Sequence, residues 1–155
     1  MAPTLFSLIL GSAWLGASAI VAVVVAPAAF AVLPSRTLAG ALVGRVLPVL
    51  FWSGMLVALA TIVSAWSLPA RAARIGAGVV LLLGCAAAQL IVSPRIERIR
   101  AGVAGPIDAL SPADPRRLEF GRLHGMSVGL LGLAMIACLV GVVLLSRSLP
   151  SLRDS

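Results

Sequence analysis

The chain has 155 residues, 61% of them hydrophobic and 11% charged, with a formal charge of +7 and a mean hydropathy of +1.13. A soluble domain carries about 25% charged residues, so the charges here are too few to cover a water-facing surface or to hold a chain disordered. Both classes are excluded, and a membrane protein is left.

The charges cluster. None precedes Arg36, and none lies between Arg45 and Arg71, between Arg74 and Arg95, or between Arg122 and Arg147; these gaps hold 35, 25, 20 and 24 residues. About 20 apolar residues carry a helix across the hydrocarbon core, where a helix satisfies its own backbone. The pattern predicts an all-α, polytopic membrane protein forming one domain over residues 1–155. Its four-helix transmembrane bundle would have helices at roughly Leu5–Val32, Gly44–Trp66, Ile75–Val92 and Leu123–Ser146. Barrel strands would alternate in polarity, whereas these runs are continuous Ala, Leu, Val and Gly, so a β-barrel is excluded.

No basic residue precedes the first apolar run, which far exceeds the core of a secretory signal. It reads as a retained helix, although Ala17-Ser18-Ala19 mimics a cleavage site. Its small residues Ser12, Ala13, Gly16 and Ala17 suit close packing. Pro27 near its end and Pro48 near the start of the second helix each remove a backbone donor. They imply ordinary bends or, if both face one side, a cavity between helices.

In the third helix Gln89, the only side-chain amide of the chain, is expected to hydrogen-bond across helices for about 1 kcal/mol. Cys85 and Cys138 read as small packing residues, with neither a disulfide framework nor a metal signature. Ser93 can cap and Pro94 can open a helix in which Ile96, Ile99 and Val103 share one face while Arg95 and Arg98 point away. The segment is a short interfacial helix between helices 3 and 4, or a continuation of the third helix out of the membrane. Gly102, Gly105 and Pro106 end it, and Leu110 to Pro115 reads as a loop.

The stretch from Arg116 to Ser127 runs charged residues into a membrane helix holding the only histidine, His124. Glu119 and Arg122 are spaced to pair. Gly121, Gly125 and Gly129 form one small-residue face, expected to receive another backbone and to hold His124 and Ser127 at a helix–helix contact. On that reading Gly125→Leu costs the fold or its assembly. An ionisable group at membrane depth is a functional candidate, against which stands a structural histidine at headgroup level.

All twelve basic residues are Arg and sit beside helix ends, so anionic lipid headgroups are the expected partner and nucleic acid is not. Eight of them (Arg36, Arg45, Arg95, Arg98, Arg100, Arg116, Arg117, Arg122) fall on one side, and Arg71, Arg74, Arg147 and Arg153 on the other. The positive-inside rule then puts the Arg-rich loops in the cytoplasm and both termini outside.

Three segments together carry a resemblance: Ala26 to Pro34 with Leu38 to Pro48; Pro94-Arg95 with Arg98 and Arg100; and Phe120-Gly121-Arg122-Leu123-His124-Gly125-Met126-Ser127. In order and spacing they resemble the transmembrane-protein-205-like family of small four-helix membrane proteins, whose bacterial members are a domain of unknown function. The family is distantly similar to copper-resistance-D-like proteins, some of which bind haem. The resemblance implies the bacterial inner (plasma) membrane as the location. The chain departs from the family pattern at two amides, offering only Gln89 before the Pro-Arg segment and Gly129 to Gly132 after the histidine motif.

Three functions remain open. One is transport or permeation of a small solute or ion through a polar pocket built from His124, Ser127, Arg122, Gln89 and the Arg95–Arg100 segment. Another is a membrane redox protein with haem or a metal at His124, which would need a second ligand from Met55, Met126 or another copy. The third is a non-catalytic bundle assembling with itself or another membrane protein through the glycine face. No cofactor is expected on the first and third readings. Glu119, His124 and Ser127 lie on one helix without an independent orienting partner, so no catalytic set is assigned and a non-enzyme is expected.

Overall fold

The computed structural model describes residues 2–66 and 71–147; Arg153, counted above for orientation, lies outside them. Helix α1 (Ala2–Ile20) passes through a π-helical segment (Val21–Val25) into α2 (Ala26–Val32). Ser35, with extended backbone, then caps α3 (Arg36–Ala65): its hydroxyl accepts from the Leu38 amide at 3.2 Å. Helix α4 (Arg71–Ala86), a second π-helical segment (Ala87–Val92) and α5 (Ser93–Ala101) form one rod. The chain turns at Gly105, whose φ of +124° is a conformation open chiefly to glycine, and makes one 3₁₀ turn at Ile107–Ala109. Asp114 caps α6 (Pro115–Ser146), accepting from the Arg116 amide at 2.9 Å, with Pro115 at a position where a missing N–H costs nothing.

Four rods are long and apolar enough to cross a membrane: Thr4–Val32, Arg36–Ala65, Arg71–Ala101 and Pro115–Ser146. Their number is as expected, but their ends lie further out. Helix α3 begins at Arg36 instead of Gly44, α4 at Arg71 instead of Ile75, and α6 at Pro115 instead of Leu123. A charge-free gap measures the lipid-matched portion only, whereas the caps lie beyond it and the arginine-bearing turns stay helical. Ser93 does not cap. Its backbone is helical and its hydroxyl donates to the Ala88 carbonyl at 2.9 Å. The amphipathic segment therefore continues the third helix.

Helix α3 packs between α1 and α4, α4 packs on α6, and α6 returns to α1, a ring of antiparallel neighbours in sequence order. Trp14, Phe51, Leu81, Cys85 and Leu131 centre the core, and the Trp14 indole donates to the Leu50 carbonyl at 2.8 Å. The outside is as apolar as the inside. Val23 is 72% exposed, Val32 80% and Ile136 63%, an arrangement suited to lipid.

Small residues do bring backbones together, though not the expected ones. A Cβ on Gly78 would lie 2.6 Å from Ile62, and one on Gly54 would lie 2.7 Å from Cys85 Sγ and 2.9 Å from the Trp14 ring. Gly121, Gly125 and Gly129, by contrast, are exposed and meet nothing within 4 Å. Leu123, Ser127, Leu131, Ala134 and Cys138 turn inward on α6, which carries the glycine row round to the outside. The same correction applies to α1. Ser12, Ala13, Gly16 and Ala17 are exposed, and the buried row is Thr4, Ser7, Gly11, Trp14 and Ser18. Burying the large Trp14 ring sets the rotation of α1, and its small neighbours follow at helical spacing. Ser7 then donates to the Ala60 carbonyl at 3.1 Å, and the Cys138 thiol to that of Gly11 at 3.4 Å. Both cysteines are free and buried, as packing residues.

Arg74, expected in a turn, is only 3% exposed. Its Nη2 donates to the Leu144 carbonyl at 2.8 Å, tying the start of α4 to the end of α6. At the same end the Arg71 guanidinium lies 5.1 Å over the Trp66 ring, an aromatic–cation pair of the kind found at membrane boundaries.

Candidate functional site

At the opposite, arginine-rich end the ring is incomplete. Helix α2 packs on α3 and has no comparable contact with α6, while α5 and the second π-helical segment pack on α6. The interior there is a cavity of about 830 Å³, walled by the first half of α3, the π-helical segment with α5, the following loop and the first turns of α6. Pro48 lines it. Pro27 is exposed and does not, so the two prolines do not share a cavity.

The π-helical segment places the most telling group. Pro94 has no N–H to give, and the wider turn before it absorbs the missing bond; such turns recur at functional sites. Gln89, at the middle of this turn, lines the cavity, and its Oε1 is buried with no hydrogen-bond donor. The expected bond across helices is not made by that oxygen.

Arg100 enters from α5 and is held on three sides. It donates to Glu97 Oε1 at 3.1 Å and from Nη2 to the Gly40 carbonyl at 3.4 Å, and its guanidinium lies 5.5 Å over the Phe120 ring. Gly40 and Gly44 make room for it: a Cβ at either would stand 3.4 Å and 3.1 Å from its guanidinium nitrogens. The far neighbour of Phe120 is His124, with ring centroids 6.2 Å apart and planes within 4° of parallel. Arg100, Phe120 and His124 thus form a continuous stack along the wall, with Ser127 buried one turn deeper.

Of the six residues expected to bind a ligand, Ser127, Gln89, Arg100 and His124 line this cavity, whereas Arg95 and Arg122 stand outside it; His124 is exposed at the cavity wall instead of enclosed at a helix–helix contact. Arg36, Arg45, Glu97 and Asp108, none of them among the expected ligand-binding residues, line the cavity as well. The Gly40–Gly44 spacing was the available signal, a helix groove that admits a guanidinium in place of a second helix. Glu119 and Arg122 do not pair. The ion pairs among the described residues are Arg100–Glu97 and Arg116–Asp114, the latter at 2.9 Å. Hydrogen bonds from Arg116 hold the Asp114 carboxyl below the usual carboxylate range. Arg117 Nη1 donates to the carbonyls of Leu110 at 2.7 Å and Asp108 at 3.2 Å, fixing the loop that forms the rim. No group of three or more His, Cys, Asp or Glu side chains converges on a common point among the described residues.

Fold and site together define a helical, polytopic membrane protein with an arginine-lined cavity at one end of its bundle. Residues 9–104 match the family model described as a domain of unknown function (DUF4149), and the chain belongs to that family. No curated protein and no solved structure matches it. The matched stretch holds the α3 and α5 walls of the cavity, and the α6 wall with His124 lies beyond it.

Proposed function

We propose that the protein takes a small solute or ion into this cavity and acts in its permeation or transport across the bacterial inner membrane, without catalysing a reaction. The observation that carries the reading is the buried, unpartnered Oε1 of Gln89, a residue of the cavity lining. A buried acceptor left unmet costs about 1–3 kcal/mol, which a ligand donor offsets. The Arg100–Phe120–His124 stack supports it by setting a guanidinium and an imidazole along the wall. The resemblance to the transmembrane-protein-205-like family belongs to the same reading, since its most specific motif contains His124 and Ser127. The positive-inside count supports a cavity opening toward the cytoplasm, among anionic headgroups.

Screening a panel of small solutes by thermal shift on the detergent-purified protein tests this, followed by flux in proteoliposomes. At least one solute should stabilise the wild type and cross protein-loaded liposomes faster than empty ones, and both effects should vanish in Gln89→Leu. If no solute does so, or if Gln89→Leu responds like the wild type, the reading fails.

The exposed Gly121–Gly125–Gly129 row supports a second reading, assembly of the protein with itself through α6. Gly125→Leu should then reduce the detergent-solubilised oligomer to monomers, and an unchanged mass would dismiss it.

A further inference from the structure

We propose that the ligand of this cavity is an amphiphile with a phosphate-type anionic head and an apolar tail, drawn from the membrane; the inference rests on the solute-binding reading above and names its ligand class. Three arginines and two carboxylates line the cavity: Arg36, Arg45, Arg100, Glu97 and Asp108. Glu97 is spent on Arg100. Arg36 and Arg45 lie about two and a half turns apart on the start of α3, and neither pairs with a carboxylate among the described residues. A surplus of fixed positive charge at the mouth of a low-dielectric pocket favours an oxyanion, and guanidinium donors match phosphate oxygens in pairs. Asp108 on the rim loop sets a limit on that surplus without cancelling it.

The rest of the lining is suited to hydrocarbon. Phe30, Val43, Leu47, Ile96 and Ile107 are part of it. A volume of about 830 Å³ is at the upper end of what small-molecule pockets offer. With α2 packed on α3 and without a comparable contact to α6, the cavity borders the valines of α2 and of the π-helical segment before it, none of which is buried. A molecule already lying in the bilayer with its head at the arginine level enters by this side without crossing water.

The test uses the full chain in phosphatidylcholine nanodiscs, titrated calorimetrically with decyl phosphate, inorganic phosphate or decyltrimethylammonium, with empty nanodiscs subtracted. Decyl phosphate should bind saturably, more tightly than inorganic phosphate, and about tenfold or more weaker to Arg36→Gln/Arg45→Gln. Both arginines are exposed, so that variant keeps its fold, checked by an unchanged melting temperature without ligand. Equal binding of inorganic phosphate removes the tail from the proposal. Decyl phosphate binding that ignores the double substitution puts the head elsewhere, and decyltrimethylammonium binding as tightly as decyl phosphate overturns the charge preference. If the cation alone binds and Gln89→Leu abolishes it, the cavity remains a solute site and only the anionic class falls. If no probe binds and no solute of the wider panel does either, both readings fall together.

Discussion

Gly54 and Gly125 each sit within a long apolar helix, and nothing in their local sequence separates them. Their surroundings do. A methyl group on Gly54 has Cys85 Sγ at 2.7 Å and the Trp14 ring at 2.9 Å, so Gly54→Ala should destabilise the bundle by about 1–3 kcal/mol through overpacking. Gly125 meets open space, so Gly125→Leu should leave the stability of the monomer unchanged, the reverse of the expectation drawn from its spacing. Thermal unfolding of both variants in one detergent checks the pair. Gln89 follows the same logic from the polar side. Replacing it with Leu removes a buried oxygen that has no donor, and the unliganded protein should melt no earlier than the wild type. An earlier melt would mean that the amide has a structural partner.

The helices are fastened at their ends by groups that hydropathy ignores. The bond from Arg74 Nη2 to the Leu144 carbonyl joins α4 to the last turn of α6. Arg74→Met keeps the stem and removes the donors, and should cost about 1.5–3 kcal/mol, the range for a hydrogen bond to a charged group. Denaturant unfolding in mixed micelles measures it. At the other end of α6 the Asp114 cap depends on its charge. Because its carboxyl titrates below the usual range, its contribution is complete above the unfolded-state value near 3.9 and is lost only as the pH falls through the lowered native one. The Asp114 side-chain resonance, followed by NMR, should therefore titrate at lower pH than that of a model aspartate. In the Arg116→Ala variant it should move back toward it.

The molecule as a whole presents hydrocarbon outward along its length and eight arginines at one end. Attraction to anionic headgroups is electrostatic and screened within about 8 Å at physiological salt. The melting temperature should consequently be higher in nanodiscs containing phosphatidylglycerol than in phosphatidylcholine alone, and the difference should shrink in 1 M NaCl. A salt-independent difference would point to bilayer thickness or packing in place of charge. The cavity belongs to this level too, since no single helix makes it. It exists because α2 follows α3 and leaves α6, so the ring that closes around Trp14 and Phe51 stays open at Arg36 and Arg100.

The spacing of charges was enough for four membrane-crossing helices, because the length of an apolar run answers directly to the thickness of the bilayer. Polar groups also stand out against such a background, which marked Gln89, His124, Ser127 and Arg100 as candidates, but it marked Arg95 and Arg122 equally, and these stand outside the cavity. Helix rotation was not legible. In a chain apolar on every side, hydropathy has no preferred face, and the burial of Trp14 and the inward row of α6 settled which glycines pack and which face lipid. The seating of Arg36, Arg45 and Glu97 around the cavity came from the same source, because these side chains meet only when α3, α5 and α6 are brought together. The π-helical turn at Gln89 likewise accommodates the missing N–H of Pro94, where the local sequence alone also allowed a new helix to start.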